Sequence, residues 1–198
     1  MIVTFDPALD PFFHLDQWVQ AAKDKGLTDP NAMTLATVGP AMQPSSRVVL
    51  YKGLIRGGLS FYTNFGGQKA QEMEYNSKVA ANFFWPTMSQ QIRVQGEVSK
   101  LTRAESEAYF KTRPRLSQMG AWASQQSQEA AGLQALADRM KEIEESFKGQ
   151  EIPCPPHWGG LHLVPNYFEF WIGREGRLHE RYCYEKQDRD WRRFMRFP

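Results

Sequence analysis

The segment QQIRVQGEVSKL (residues 90–101) constrains the fold more than any other, because apolar and polar side chains alternate along it. The even positions from Ile92 to Val98 are apolar or glycine, and the odd positions from Gln91 to Glu97 are polar. Successive side chains of a β-strand point to opposite faces, so this pattern predicts a strand with one buried face. The apolar face of such a strand must be buried against other strands or helices, so we expect this strand to belong to a sheet.

Similar segments, rich in β-branched and aromatic residues, recur between turns that contain glycine or proline. They predict strands at MTLATV (33–38), SRVVLYKGLI (46–55), LSFYTN (59–64), KVAANFFW (78–85), HLVP (162–165), YFEFWIG (167–173), RLHERYCYE (177–185) and WRRFMRF (191–197). Helices do not alternate regularly with these strands, as they would in a parallel sheet. We therefore predict an α+β fold, mainly antiparallel, arranged as a barrel or a sheet.

Helical patterns flank and interrupt these strands. Residues 11–26 carry apolar side chains at every third or fourth position and end at Gly26, which predicts an amphipathic N-terminal helix. A short helix is predicted at 66–76, and residues 102–149 are predicted to form a helical insert.

Within this insert, residue types predict where the helices begin and end. Thr102, with a glutamate three residues later, forms a capping box, and Pro114 ends the first helix. Ser117 and Ser127 are predicted to be the N-caps of the next two helices, and the second of these helices is the longest, at 128–149.

Length and composition favour one soluble domain covering residues 1–198, of which 41% are hydrophobic. The net charge of +2 gives no reason to expect nucleic acid or a membrane surface as a partner. The apolar runs are too short to span a membrane, and MIVTFDPALDPFF does not match a signal peptide. Cys154 and Cys183 form no pairing motif and are interpreted as free thiols in a reducing compartment, so we expect a cytoplasmic protein.

The sequence contains no recognisable metal site or catalytic motif. None of the four histidines has a Cys, Asp or Glu partner at ligand spacing, and there is no GxSxG, P-loop or GxGxxG segment. The chain is therefore either a binding protein or an enzyme whose cofactor carries the reaction.

Two basic segments in the first half are candidate anion ligands. Arg47 and Lys52 are five residues apart on a predicted strand, so they would face opposite sides. Lys69 follows Gly66-Gly67 at the start of a helix, where free N–H groups and a cation suit a phosphate. A solvated lysine after a turn explains its position equally well.

The segment YFKTRPRLSQ (109–118) is a third candidate. Tyr109 and Arg113 share a helix face, and the Ser117 hydroxyl lies beyond the break, so the three groups could converge on one phosphate. From position alone, a capped helix–turn–helix with exposed arginines is the simpler interpretation. Trp158 and Trp171 are more typical of a core than of a ligand-binding wall.

Near the C-terminus, the strand predicted at RLHERYCYE carries cationic side chains at alternate positions. Arg177, His179 and Arg181 would share one face of this strand. Leu178 and Tyr182 would then attach the opposite face to the core.

Together these segments resemble the pyridoxamine 5′-phosphate oxidase family, from about residue 30 to the C-terminus. The matching motifs are RVVLYK (47–52), FYTN (61–64), QK (68–69), Gln91, YFKTRPRLSQMGAWAS (109–124), QS (126–127), WGG (158–160), FEFW (168–171) and RLHER (177–181). Each motif is weak alone, but their order and spacing are highly specific, above all in RPRxSQxGAW and RLHER.

The resemblance implies a homodimeric FMN-binding split β-barrel with surrounding helices and with FMN at the subunit interface. It implies oxidation of pyridoxine 5′-phosphate or pyridoxamine 5′-phosphate to pyridoxal 5′-phosphate, with O2 as electron acceptor and H2O2 as product, and NH3 from the amine. The implied FMN-binding residues are Arg47, Val48, Val49, Leu50, Tyr51, Lys52, Tyr62, Thr63, Gln68, Lys69, Gln91, Gln126, Ser127, Trp171 and Arg181. The implied substrate-binding residues are Lys52, Tyr109, Arg113, Ser117, Arg177, Leu178 and His179, with Arg177 and His179 as the catalytic pair over the pyridine ring.

The chain departs from the family pattern in three places. Gly67-Gln68 stands where Ser-Arg is common, which removes one cation from the expected FMN phosphate site. The segment before the first helix is short, so the N-terminal lid of many members would be absent or differently built. The C-terminus reads RFMRFP where Arg-Leu-x-Pro is common.

Three alternatives remain open. Another oxidase on the same scaffold, acting on an aromatic metabolite such as a phenazine precursor, would not need the phosphate-binding residues around Arg113. A non-catalytic flavin- or pyridoxal-phosphate-binding protein would not need Arg177 and His179. A nucleic-acid binder that uses the arginine-rich C-terminus has little support from the net charge.

Overall fold

A computed structural model describes residues 5–198, and the start of the N-terminal segment considered above (residues 1–4) lies outside this range. The strands are β1 Ala32–Val38, β2 Pro44–Leu50, β3 Leu54–Ile55, β4 Gly58–Asn64, β5 Lys78–Trp85, β6 Gln90–Lys100, β7 Trp158–Ile172, β8 Glu180–Gln187 and β9 Asp190–Met195. The helices are α1 Pro11–Asp24, α2 Gln68–Tyr75, α3 Arg103–Lys111, α4 Arg115–Ala123 and α5 Leu133–Ser146, with 3₁₀ turns at Pro86–Met88 and Glu175–Arg177.

The predicted α+β class is confirmed, because the strand pairs that form the sheet are antiparallel. The strand order is β2-β1-β5-β6-β7-β4-β3. β8 also pairs with β7, and β9 pairs with β8. β6 pairs along most of one edge of β7, whereas the opposite edge is shared by β4 and β8. The sheet therefore divides into two branches along this edge of β7. None of the helices in the described range is both long and apolar enough to cross a membrane.

The strand at 90–101 forms as predicted, with one local irregularity. Ile92, Val94 and Val98 are all buried, as the alternation requires. The register with β7 shifts between Gln95 and Gly96. A Cβ atom at Gly96 would lie 2.1 Å from a backbone carbonyl oxygen of β7, so only glycine fits where the two backbones approach so closely.

The main core lies between the sheet and α1, which forms close to its predicted boundaries. Asp10 caps α1 by accepting a hydrogen bond from the backbone N–H of Phe12 at 2.8 Å. Leu15, Trp18 and Ala22 of α1 are fully buried in this core together with aromatic side chains of the sheet. A second, smaller core joins the helical insert to the start of β7 through Phe110, Met119, Ile152 and Trp158.

Two of the strand predictions before residue 174 were wrong. The strand predicted at 46–55 ends at Leu50, because the chain turns at Gly53 (φ 100°) and the Lys52 N–H bonds to the Ser60 carbonyl. Arg47 and Lys52 therefore do not lie on one strand. HLVP and YFEFWIG, predicted as separate strands, are parts of one strand, β7, and Pro165 is accommodated at the irregularity opposite Gly96.

Two predicted helix caps were also wrong. Ser117 lies inside α4, which begins at Arg115 directly after Pro114. The last helix of the insert begins at Leu133, not at 128, and Ser127 instead accepts a hydrogen bond at 3.1 Å from the first backbone N–H of α2. Ser127 has φ 68°, a left-handed conformation that does not lead directly into a helix.

The capping box at Thr102 is confirmed, since its Oγ1 accepts from the Glu105 N–H at 3.2 Å and the Glu105 carboxylate accepts from the Thr102 N–H at 2.7 Å. We expect Thr102→Ala to lower the free energy of unfolding by about 1 kcal/mol, as measured by urea denaturation. Thr87→Ala, at an exposed threonine away from this helix, is the control. Equal stability of the two variants would contradict a role for the cap.

Candidate active site

A cavity of about 390 Å³ lies where β2, β4, α2 and the helical insert meet. Its walls bring together most of the side chains predicted for the two phosphate sites. The predicted residues in its lining are Val48, Val49, Leu50, Lys52, Tyr62, Thr63, Lys69, Tyr109, Arg113, Ser117 and Gln126, and Thr112, Pro114 and Trp158 line it as well.

The buried side chain of Lys69 lines this cavity. Its Nζ donates to Gln126 Oε1 at 2.6 Å and to Thr63 Oγ1 at 3.1 Å. Burial, with a smaller effect of the nearby Arg47 charge, lowers the pKa of Lys69. An ammonium group has three N–H donors, so one remains available for an anion.

Arg47 lies beside this group but outside the cavity lining. Its guanidinium donates to the Leu35 carbonyl, to Thr37 Oγ1, to Ser45 Oγ at 2.6 Å and to Glu72 Oε2 at 3.1 Å. Arg47 is therefore already engaged in contacts within the chain.

Three aromatic rings form a stack along one wall of the cavity. The Tyr62 ring lies 3.8 Å from the Tyr109 ring and 5.4 Å from the Trp158 ring, measured between centroids, with interplanar angles of 15° and 13°. Burial, together with the nearby Tyr109 and Glu105, raises the pKa of Tyr62 to about 12. The Tyr62 phenol is therefore protonated at neutral pH and can donate a hydrogen bond.

The guanidinium of Arg113 also lines the cavity. It lies over the Trp158 ring, 4.7 Å from the centroid, at a distance typical of a cation–π contact. Burial lowers the pKa of Arg113, although an arginine stays charged. Its Nη1 is buried and has no hydrogen-bond partner among residues 5–198. A buried donor without a partner is costly, so this atom indicates a position for an anionic ligand.

Gln68, Ser127 and Tyr51, also predicted to bind FMN, lie outside the cavity lining. Gln68 donates to Glu72 Oε1 at 2.8 Å through Nε2, and its backbone N–H donates to Ser127. The Tyr51 side chain is buried in the main core and donates to Asp16 at 2.9 Å. Only the backbone of Tyr51 follows the cavity-lining strand β2.

A second cluster forms at the opposite end of β7. The Trp171 ring lies 4.6 Å from the His179 ring, and Trp171 pairs with Gln91 and Arg181 on the neighbouring strands. The backbone N–H of Arg174 donates to His179 Nδ1 at 3.1 Å, so the proton of the neutral ring lies on Nε2.

Arg181 is held in this cluster by a buried carboxylate. Its Nε and Nη2 donate to the two oxygens of Glu169, at 3.0 and 2.8 Å, and Nη1 donates to the Phe197 carbonyl. Glu169 is only 2% exposed. Burial alone would raise the pKa of Glu169, but hydrogen bonds from Arg181 and Tyr167 outweigh this effect and lower it.

The predicted row of Arg177, His179 and Arg181 on one strand face was wrong. β8 begins only at Glu180, and Arg177 lies in a 3₁₀ turn with φ 61°, directly after Gly176 with φ 63°. Two consecutive left-handed residues cannot belong to an extended strand. Leu178, predicted to face the core, is instead 74% exposed, whereas Tyr182 packs against the core.

The two clusters lie at opposite ends of β7. Thr63 of the cavity pairs with Gly159 at the start of β7, whereas Gln91 and Arg181 pair with Trp171 near its end. Gly159 and Trp171 are twelve positions apart, which corresponds to about 40 Å along a straight strand.

Several residues at these sites were not predicted as site residues from the sequence, among them Glu72, Glu169 and Trp158. Glu72 could have been predicted from the sequence as a neighbour of Gln68, because it lies four residues later and thus on the same face of α2. The contact of Glu169 with Arg181 depends on the register of β7 and β8, which the sequence alone does not define.

Comparison with known proteins identifies the family of this chain. Residues 19–147 match the family described as "Pyridoxamine 5'-phosphate oxidase", and residues 158–198 match the "Pyridoxine 5'-phosphate oxidase C-terminal dimerisation region". The chain belongs to the pyridoxamine 5′-phosphate oxidase family. The dimerisation match begins at the first residue of β7 and includes the residues of the second cluster other than Gln91.

Curated relatives in this family extend over nearly the whole chain. The pyridoxine/pyridoxamine 5'-phosphate oxidase of Bdellovibrio bacteriovorus is 46% identical, with 98% of this chain and 100% of the relative covered. The protein of the same name from Rubrobacter xylanophilus is 47% identical, with coverage of 96% and 87%.

Solved structures of this fold include PhzG from Burkholderia lata 383 in complex with tetrahydrophenazine-1-carboxylic acid. It superposes with a TM-score of 0.92 at 28% identity, covering 99% of this chain and 98% of that one. A pyridoxamine 5'-phosphate oxidase-related, FMN-binding protein from Nostoc punctiforme has a TM-score of 0.78 at 17% identity, covering 96% and 99%, and shares the fold.

Proposed function

We propose that this chain is an FMN-dependent oxidase that converts pyridoxine 5′-phosphate or pyridoxamine 5′-phosphate into pyridoxal 5′-phosphate. The observation that carries this proposal is one cavity lined by two cationic side chains, the buried Lys69 and the half-buried Arg113, with stacked aromatic rings beside them. A flavin phosphate and a substrate phosphate each require such a cation, and their planar rings require an apolar surface.

The residues at the Lys69 end are suited to FMN. The remaining N–H of the Lys69 ammonium group offers a donor to a phosphate, and residues of β2 line the wall beside it. At the other end, the unpartnered Nη1 of Arg113 is suited to the phosphate of a B6 vitamer, with Tyr109, Ser117 and Lys52 on the same cavity.

Bound FMN would supply the acceptor for the two electrons of this oxidation, with O2 as the final acceptor and H2O2 as its product. Oxidation at the C4′ carbon removes two hydrogens, and the amine substrate also takes up water and releases NH3. The protein therefore needs no nucleophile of its own and acts by positioning the reactants. Arg113 and Lys69 fix the two phosphates, and Arg177 and His179 contact the pyridine ring.

We also propose that each site is completed by a second copy of the chain. The residues expected around one flavin lie at both ends of β7, separated by twelve positions or about 40 Å along a straight strand. A two-fold dimer brings the end of one β7 to the start of the other. Sedimentation velocity of the FMN-loaded protein tests this arrangement, and a monomer that retains FMN stoichiometrically would contradict it.

We expect Arg177→Ala to lower kcat about tenfold, which corresponds to about 1.4 kcal/mol of activation free energy, while FMN affinity changes little. Arg177 is exposed in a turn and forms no part of the Lys69 network, so its loss leaves that network intact. Steady-state kinetics and flavin titration measure the two effects. Equal losses in turnover and FMN affinity would count against a role limited to the substrate.

The direct test of the function is to purify the protein, record its flavin spectrum and add pyridoxine 5′-phosphate or pyridoxamine 5′-phosphate in air. Pyridoxal 5′-phosphate and peroxide are expected in equal amounts. Bound FMN without either product would exclude oxidation of the B6 phosphates. The free, buried thiols of Cys154 and Cys183 support a cytoplasmic location for this activity.

A second candidate is an oxidase of a non-phosphorylated aromatic metabolite, because the PhzG structure superposes closely and contains a phenazine-type ligand. Such a substrate gives Arg113 and Lys52 no phosphate to bind. Peroxide formation with a reduced phenazine carboxylate, but not with the B6 phosphates, would favour this second candidate.

A further inference from the structure

The carboxylate of Glu72 lies at the centre of the network beside Lys69. Its Oε2 accepts hydrogen bonds from Thr37, from Ser45 at 2.6 Å and from Arg47 at 3.1 Å. Its Oε1 accepts from Gln68 at 2.8 Å. Burial opposes ionisation of this group, but the four hydrogen bonds outweigh it and lower the pKa of Glu72 to about 2. Glu72 is therefore a fixed negative charge at neutral pH.

Glu72 and its neighbours use most of the hydrogen-bonding capacity of Arg47. A guanidinium has five N–H donors. The Nη1 and Nη2 groups of Arg47 make four hydrogen bonds, to Leu35, Thr37, Ser45 and Glu72. Only its Nε–H forms no hydrogen bond with the part of the chain described. A phosphate can gain a second N–H of Arg47 only by displacing one of these partners.

The same carboxylate reduces the positive charge of the proposed FMN phosphate site. Lys69 and Arg47 contribute two positive charges, and Glu72 removes one of them. Gln68, which occupies the position where family members commonly carry arginine, adds no charge and donates its amide to Glu72. A phosphate of about two negative charges therefore meets a site with a net charge of about one.

We propose that Glu72 competes with the cofactor phosphate for Arg47 and so limits the affinity of this chain for phosphorylated flavins. The inference rests on the proposed function, because it assumes that FMN binds at the Lys69 end of the cavity. It assigns Glu72 a role in cofactor affinity and none in the chemical step.

The test compares FMN with riboflavin, which lacks the phosphate, on the flavin-free protein by quenching of flavin fluorescence. We expect Glu72→Gln to bind FMN about tenfold more tightly, a change of about 1.4 kcal/mol, while its riboflavin affinity stays the same. Glu74→Gln is the matched control, because Glu74 lies on the same helix but is 70% exposed and pairs with Lys100. We expect no change in that variant.

A second variant covers the case in which Glu72→Gln fails to fold. Gln68 is exposed, so Gln68→Arg is compatible with the fold and gives Glu72 a second cationic partner. We expect it also to tighten FMN binding about tenfold without changing riboflavin binding.

The outcomes separate this inference from the proposed function. FMN binding that is unchanged or weaker in both variants overturns the role of Glu72 and leaves the proposed function intact. An equal gain for FMN and riboflavin also overturns it, because the effect would not involve the phosphate. If the unmodified protein binds neither flavin, both the proposed function and this inference are wrong.

Discussion

Replacement of Lys69 by methionine is expected to weaken FMN binding about 100-fold, because removal of a buried, hydrogen-bonded charge costs several kcal/mol of binding free energy. Lys69 is 8% exposed, and its ammonium group is the buried cation at the flavin end of the cavity. Methionine has a similar length and keeps the packing while it removes the charge and all three donors. Flavin titration of the apoprotein measures the change.

Lys78→Met is the matched control, since Lys78 is an exposed lysine at the start of β5. We expect this variant to bind FMN as the unmodified protein does. Both variants should have the same urea midpoint within error, which would show that the loss of flavin is not a loss of folding. If Lys69→Met retained FMN affinity within twofold, the flavin phosphate would have to bind elsewhere.

Replacement of Arg113 by methionine is expected to lower kcat/KM for pyridoxine 5′-phosphate about 100-fold, mainly through KM, because a charged hydrogen bond to the phosphate is lost. The aliphatic side chain can still pack on Trp158, where the guanidinium lies 4.7 Å from the ring centroid. Steady-state kinetics and flavin titration of the same variant separate substrate binding from cofactor binding.

Lys111→Met is the control for Arg113, because Lys111 is an exposed cation on the adjacent turn of α3 and does not line the cavity. We expect normal kinetics for this control and normal FMN affinity for both variants. An equal loss of FMN affinity in Arg113→Met would place the flavin, not the substrate, at this end of the cavity.

Local patterns predicted the elements of this fold well where one short-range rule decided the structure. The alternation at 90–101 predicted β6, and the capping box at Thr102 predicted the start of α3. Both depend on residues that are neighbours along the chain. The resemblance to the family located the residues of the cavity, although the sequence alone left simpler interpretations of Lys69 and Arg113 open.

The predictions failed where long-range contacts overrule a local pattern. Ser127 looks like the cap of the following helix but caps α2, which precedes it by about sixty residues. The pattern of RLHER is typical of a strand. Gly176 and Arg177 adopt left-handed conformations, however, so the strand begins only at Glu180. The engagement of Arg47 by Glu72 required the folded positions of β2 and α2.

The length of β7 has a consequence in genetic terms. If the start of β7 contributes to one flavin site of the dimer and its end to the other, inactivating alleles fall into two classes. Alleles that change residues near Lys69 damage one part of each site, and alleles that change residues near Trp171 damage the other. Two alleles from different classes, expressed together, restore one intact site in each mixed dimer and complement one another. Two alleles from the same class do not, so a cross between mutants can reveal how the site is divided.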